Sequence, residues 1–188
     1  METQALQTEP RYAGLRVTRE EYLDLEDDGF LYDMIEGVLY VTPSGSYEHG
    51  GACGEFYFFL RLYLKRNNLG TITQETDVLL PDGGDVLRPD LSFILHENRK
   101  IIKVHIHGAP DLICETLSDS TAKRDLGIKA ERYLSNGVKE YWIVDPRDKS
   151  MQVWCNSAGR IWEKRTGSVL ESRLLPGFKI DVQEFWDR

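Results

Sequence analysis

Two stretches of the chain carry apolar residues at helical spacing. In residues 47–67, aromatic and leucine side chains recur every three or four positions, and Gly70 follows as a stop signal. Residues 121–135 show a similar pattern and end at Asn136-Gly137. Each stretch therefore predicts an amphipathic helix that lays one face on a core.

Short runs of β-branched and aromatic residues surround these helices. Glu36-Gly37 marks a turn within extended residues 30–42, and Pro146 ends the apolar run that precedes it. The predicted strands are 37–41, 71–73, 77–80, 91–95, 112–115, 140–145, 151–154 and 161–164.

The order of strands and helices predicts one α/β domain over residues 1–188. Residues 1–17 are expected to be a loosely ordered lead-in. No repeat, low-complexity tract or linker divides the sequence. A short helical turn is predicted at 182–186.

Composition places the chain among ordinary globular proteins. It has 188 residues, of which 41% are hydrophobic and 29% charged, which excludes wholesale disorder. The sequence has no apolar run long enough for a membrane span and no signal-peptide pattern at its start. The three cysteines lie far apart and are odd in number, which favours reduced thiols. We therefore expect a cytoplasmic protein that does not contact membranes.

The charge balance bears on the choice of partner. The 23 basic and 31 acidic residues give a net charge of −8. This excess of acid counts against tight non-specific binding to nucleic acid, which needs a positive field. It is compatible with a metal site whose carboxylates supply some of the acid.

Two acids stand at the ends of neighbouring apolar strands. Asp90 follows Pro89 at the start of one run, and Glu115 ends the run that begins at Leu112. Carboxylates at such positions can converge on one point, where they suit a hard cation such as Mg²⁺. An ion of this kind can activate water and offset charge on a phosphoryl group.

The ordered series of segments around these acids resembles the PD-(D/E)XK nuclease-like superfamily, and in particular its Uma-type branch of bacterial endonucleases. The resemblance covers most of residues 32–146. The matching segments are YDMIEG at 32–37, RPDLS at 88–92, DLICETLS at 111–118, Ser120-Thr121, Arg124-Asp125, Lys129 and GVKEYWIVDP at 137–146.

The resemblance implies a restriction-endonuclease-like mixed β-sheet flanked by helices, with Asp90 and Glu115 as the metal-binding acids. It implies hydrolysis of DNA phosphodiester bonds with Mg²⁺ or Mn²⁺. The superfamily motif places a lysine two residues after the glutamate, where this chain has Leu117. Lys129 and Lys123 on the following helix are the candidates to replace it. We favour Lys129, because a helical wheel sets it beside a predicted buried stripe that includes Leu126.

Further residues are candidates of second rank. Glu36 is either a turn residue or an additional acid of the metal site, and Asp33 matches the acidic position of the family segment about as well. His49 near the start of the first long helix is either a capping or exposed residue or a contact to water or phosphate.

A second function class stays open. Leu117 in the lysine position and the net charge of −8 also suit a non-catalytic member of the fold that serves binding or assembly. The sequence leaves the oligomeric state open, and the apolar residues of the first long helix and the C-terminal segment are candidates for a homodimer contact.

Overall fold

A computed structural model describes residues 9–81, 84–157 and 160–187. Strands and helices alternate along the chain. In order they are α1 (Arg19–Leu23), β1 (Leu31–Ile35), β2 (Val38–Thr42), α2 (Tyr47–Arg66), β3 (Gly70–Gln74), β4 (Val78–Leu79), β5 (Val86–Leu87), β6 (Leu91–Leu95), a 3₁₀ helix (His96–Ile101), β7 (Ile106–His107), β8 (Leu112–Thr116), α3 (Ala122–Arg124), a π-helical turn (Asp125–Lys129), α4 (Ala130–Ser135), β9 (Glu140–Asp145), β10 (Ser150–Ser157), β11 (Ile161–Arg165), β12 (Val169–Glu171), β13 (Lys179–Asp181) and α5 (Val182–Trp186).

The strands form mixed sheets. The central sheet has the order β11-β10-β9-β8-β6-β3, and β8 and β9 are its parallel pair. A second sheet has the order β2-β1-β5-β4-β7, with β4 and β7 parallel, and β12 pairs with β13. Helices flank these sheets, so the predicted α/β class with a mixed sheet is confirmed.

Helix α2 covers one face of the central sheet. Its buried side chains Phe56, Leu60 and Leu64 recur at spacing four, as its apolar periodicity predicts. Phe56 packs against Trp142 of β9, with ring centroids 5.4 Å apart, and against Phe178 at 6.3 Å. This aromatic contact joins the helix, the sheet and the C-terminal segment into one core.

The opposite face of the central sheet packs on α4 and on the second sheet. Tyr133 and Tyr141 are both fully buried there, with ring centroids 5.4 Å apart. Ile113 of β8 and Ile35 of β1 belong to the same core cluster. Because side chains alternate along a strand, Glu115 shares the face of Ile113 and points toward this helix.

The helical segment after β8 departs from the predicted wheel. A regular α-helix over 121–135 would bury Leu126, but this side chain is 38% exposed. The chain widens into the π-helical turn, where Gly127 has non-helical angles of φ −108° and ψ −105°. As a result, Asp125 and Lys129 point into the protein and are both 3% exposed.

Residues 9–17 have defined contacts, although we expected a loosely ordered lead-in over 1–17. Gly14 and Val17 donate backbone hydrogen bonds to Leu39 and Gly37 at 2.8 Å. The first eight residues lie outside the described part, as do 82–83 and 158–159 within two predicted turns. Among the described residues, no helix is long and apolar enough to cross a membrane.

The aromatic contact under α2 predicts a large difference between two phenylalanines of one helix. Phe56 is 0% exposed and Phe58 is 56% exposed. Phe56→Ala should lower the free energy of unfolding by about 3–5 kcal/mol, because it leaves a cavity. Phe58→Ala, the matched control, should change it by about 0.5 kcal/mol or less. Urea denaturation measures both, and equal losses would contradict the described packing.

Candidate functional site

A cavity of about 760 Å³ opens between the two main sheets. The β1–β2 hairpin, the start of α2, the start of β6, the end of β8 and the helical segment after it all contribute to its wall. The charged residues that line it include Asp33, Asp90, Glu115, Asp125 and Lys129. Three of the residues selected from the sequence, Asp90, Glu115 and Lys129, therefore lie at one place.

The pairing of β6 with β8 places the two predicted acids together. Leu91 lies opposite Cys114, so the next residues outward, Asp90 and Glu115, face each other. The Asp90 backbone N–H donates to Glu115 Oε2 at 3.1 Å, and the Thr116 N–H donates to Asp90 Oδ2 at 2.6 Å. These two hydrogen bonds hold both carboxylates at the same edge of the sheet.

Lys129 lies at the centre of a buried ionic cluster. Its Nζ is 2.5 Å from Glu115 Oε1 and 3.2 Å from Asp125 Oδ1. A third acid, Asp33 of β1, has its Oδ2 3.9 Å away. One ammonium group therefore contacts carboxylates from β1, from β8 and from its own helical turn.

Burial shapes the protonation of this cluster. Burial raises the pKa of Glu115 above its ordinary value, and the charges of Asp125 and Asp90 add to that effect while Lys129 opposes it. Burial acts against the charge of Lys129, but Asp33, Glu115 and Asp125 outweigh it and raise the pKa of the ammonium. Lys129 is therefore held in its charged form.

His49 extends the site toward α2. Its Nε2 lies 3.3 Å from Asp90 Oδ2, and both side chains are about one-fifth exposed, at 18% and 22%. The hydrogen bond to Asp90 is the largest of the influences that raise the pKa of His49 to about 11. The imidazole is therefore a cation at neutral pH and offsets the charge of Asp90.

Glu36 and Lys123, the other two candidates, do not line the cavity. Glu36 lies in the β1–β2 turn with φ 53°, and its side chain is 67% exposed and pairs with Arg132. Lys123 is exposed on the outer side of α3. Asp33, the alternative to Glu36, is fully buried and lines the cavity, because it lies two residues before the core residue Ile35 on the same face of β1.

Three further residues at the cavity were not among the site residues predicted from the sequence. Asp125 forms the i,i+4 ion pair with Lys129, a spacing that was visible in the sequence. Arg124 Nε lies 3.5 Å from Asp33 Oδ2. The Arg88 backbone N–H donates to Asp33 Oδ1 at 2.8 Å, which ties the segment before Asp90 to β1.

The buried cluster changes what we expect of Lys129→Met. A lysine beside an apolar stripe would tolerate this change, but here it leaves three carboxylates without their shared cation. The free energy of unfolding should fall by about 3–5 kcal/mol near neutral pH. The loss should shrink toward acidic pH, because burial raises the pKa of Glu115 and a protonated Glu115 no longer depends on the ammonium group.

Urea denaturation at about pH 5 and about pH 8 measures this dependence. Lys123→Met is the matched control, because that side chain lies six residues earlier and is exposed, and this change should leave stability unchanged. A pH-independent loss for Lys129→Met would contradict the ionic account.

The contact between His49 and Asp90 predicts an ordering of histidine titrations. His49 should titrate far above His107, because burial and then Lys103 lower the pKa of His107. The stabilisation from the His49–Asp90 pair is complete below the unfolded-state pKa and is lost as pH rises through about 11. NMR of the imidazole resonances measures both pKa values in metal-free protein. Asp90→Asn should lower that of His49, and a wild-type value near 6.5 would refute the contact.

The solved structures contain a close match to this fold. It is a protein from Anabaena variabilis described as a putative nuclease belonging to DUF820. The match has a TM-score of 0.77 with 16% sequence identity and covers 90% of this chain and 97% of the other. At that identity it establishes the fold alone. No curated protein matches the sequence.

A family model gives the stronger result. The model of the Uma2 family, described as "Putative restriction endonuclease", matches residues 19–183. This range includes every charged residue of the cavity named above. The chain therefore belongs to the Uma2 family.

Proposed function

We propose that this protein is a metal-dependent endonuclease that hydrolyses DNA phosphodiester bonds. The observation that carries the proposal is the cavity in which Glu115 contacts Lys129 and Asp90 at once. Membership of a family described as "Putative restriction endonuclease" agrees with it, as does the similar fold of a protein described as a "putative nuclease".

The donor set of the cavity fits a hard divalent cation. Five acidic residues line it, namely Asp33, Glu75, Asp90, Glu115 and Asp125. Asp33 Oδ2 is buried and accepts no hydrogen bond among the described residues, and its neighbours Arg124 Nε and Lys129 Nζ lie 3.5 and 3.9 Å away. Carboxylate oxygen is the ligand that Mg²⁺ and Mn²⁺ prefer, and each oxygen has two lone pairs, so Glu115 Oε2 can accept a second partner.

Asp90 and Glu115 are the residues that would hold the ion. When bound, it would lower the pKa of a water molecule and offset charge on the phosphoryl group. The hydrogen bonds from the Asp90 N–H to Glu115 and from the Thr116 N–H to Asp90 fix where the two carboxylates stand. Their fixed position means that little reorganisation is needed when the substrate binds.

Lys129 acts as a fixed positive charge beside these acids. Its raised pKa keeps the amine protonated, so it orients water and offsets developing negative charge and does not take a proton. Its position replaces the missing lysine of the motif. Leu117, which occupies the motif position, is 2% exposed and belongs to the core.

The non-catalytic alternative rested on Leu117 and on the net charge of −8. Lys129 of the π-helical turn places an ammonium group beside Glu115, so Leu117 in the motif position no longer argues against catalysis. A protein that only bound or assembled would have no need of a lysine buried among three acids, since such a cluster is costly to desolvate. The charge remains consistent with either function, so cleavage itself must decide.

The decisive experiment is cleavage of supercoiled plasmid DNA with Mg²⁺ or Mn²⁺. Asp90→Asn should reduce cleavage by about 100-fold or more, because it removes charge at the ion and keeps an oxygen for the Thr116 N–H. Glu115→Gln should act in the same direction. Agarose electrophoresis gives the rates.

Asp119→Asn is the matched control. Asp119 lies just beyond β8, and its side chain is 95% exposed. The Asp119→Asn protein should cleave plasmid DNA at the wild-type rate. Cleavage that survives Asp90→Asn at the wild-type rate, or wild-type protein that cuts no DNA substrate, would overturn the proposal and favour the non-catalytic reading.

A further inference from the structure

We propose that His49, Cys53 and Asp90 form a second metal site, selective for a transition-metal ion of the zinc class. Among the described residues, these three form the one group of His, Cys and carboxylate side chains whose ligand atoms all lie within 4.8 Å of one another. The site is distinct in chemistry from the carboxylates around Glu115, and its ion binding does not rest on the proposed function.

The geometry comes from one helix and one strand end. His49 and Cys53 are four residues apart near the start of α2, so both side chains lie on the same face. His49 Nδ1 lies 3.7 Å from Cys53 Sγ, and its Nε2 lies 3.3 Å from Asp90 Oδ2. The imidazole thus stands between the thiol and the carboxylate.

The two short separations involve different ring nitrogens, and with one ligand atom from each residue the three atoms lie within 4.8 Å of one another. Zinc bonds of about 2.0 Å to nitrogen or oxygen and about 2.3 Å to sulfur put ligand atoms roughly 3.3–3.7 Å apart. Ion binding would therefore turn the imidazole so that one ring nitrogen faces the ion, and would draw the three ligand atoms closer together than 4.8 Å. Three protein ligands leave the fourth position open, as in catalytic and exchangeable zinc sites.

Neighbouring groups orient two of the ligands. Cys53 Sγ donates to Thr116 Oγ1 at 3.1 Å, so the thiol points at the end of β8. The 43–46 loop lies against the imidazole, and a Cβ at Gly45 would come within 2.6 Å of His49 Nδ1. Glycine therefore lets the loop approach the imidazole closely. Such outer contacts fix ligand orientation in metal sites.

The ligand set selects a softer ion than the carboxylate cluster does. A thiolate and an imidazole favour Zn²⁺, Co²⁺ and similar ions over Mg²⁺. Binding displaces the protons of the thiol and the imidazole into solvent, because metal ligands must be deprotonated. Asp90 belongs to both sites, so Zn²⁺ bound at His49 and Cys53 draws this carboxylate away from a hard cation.

Cobalt gives a readout that is independent of cleavage. Co²⁺ added to the full chain should produce a thiolate-to-cobalt charge-transfer band in the near ultraviolet and a tetrahedral visible spectrum. Cys53→Ser should abolish the charge-transfer band. It should also weaken Zn²⁺ binding, measured by competition with a chromophoric chelator, by about 10-fold or more.

Glu115→Gln is the matched counterpart. It removes a ligand of the proposed Mg²⁺ site and leaves all three residues of the zinc-class site. It should keep the cobalt band and the Zn²⁺ affinity while losing Mn²⁺ affinity in calorimetry. Cys53→Ser should show the reverse pattern. This double dissociation separates the two sites even if wild-type protein cleaves no DNA.

Three results would overturn the inference. They are the absence of a charge-transfer band in the wild type, a band that persists in Cys53→Ser, and loss of cobalt binding in Glu115→Gln. If Cys53→Ser fails to fold by circular dichroism, His49→Gln replaces it, and it should weaken Zn²⁺ binding by a similar factor. Unchanged Zn²⁺ affinity in a folded His49→Gln protein would equally refute the site.

Discussion

The ion pair between Lys129 and Glu115 is the interaction on which the arrangement of the layers depends. Both side chains are 3% exposed. The acids keep Lys129 charged, and Lys129 opposes the burial that raises the pKa of Glu115, so removal of either side chain leaves the other without its main partner. Asp33 brings the second sheet to the same ammonium, and Asp125 brings the helical turn. Three layers that pack mainly by apolar contact thus acquire one fixed relative position at the cavity.

This buried ionic cluster stabilises the fold little relative to the free-energy cost of desolvating its charges. Buried ion pairs often contribute no more than apolar side chains of the same volume, and here the acids outnumber the lysine. The raised pKa of Glu115 shows that its charged form is disfavoured as the site stands. Groups that break local rules of stability at one cavity are typical of a functional site, where the cost is offset elsewhere in the structure.

Much of this arrangement was predictable from strand ends and apolar periodicity. The acids Asp90 and Glu115 follow from two neighbouring strands, and the sequence pattern favoured Lys129 over Lys123. The helical wheel wrongly predicted that Leu126 is buried, because a spacing of three and four residues does not indicate the π-helical turn around Gly127. Asp33 could have been preferred to Glu36, since strand alternation sets it on the face of Ile35. The cytoplasmic location, the single domain and a homodimer stay predictions.

Asp90 connects two parts of the site that are far apart in the sequence, the end of β8 and the start of α2. Toward β8 it exchanges hydrogen bonds with Glu115 and Thr116, and toward α2 it contacts the His49 imidazole. The short pairing of β6 with β8 makes this possible, because it ends just where the start of α2 passes over the sheet edge. One carboxylate can then bind a hard cation together with oxygen ligands on one side, or a zinc-class ion together with nitrogen and sulfur ligands on the other. Raw affinity alone favours the zinc-class ion. Which ion binds Asp90 therefore depends also on the softness of the other ligands and on which metal is available.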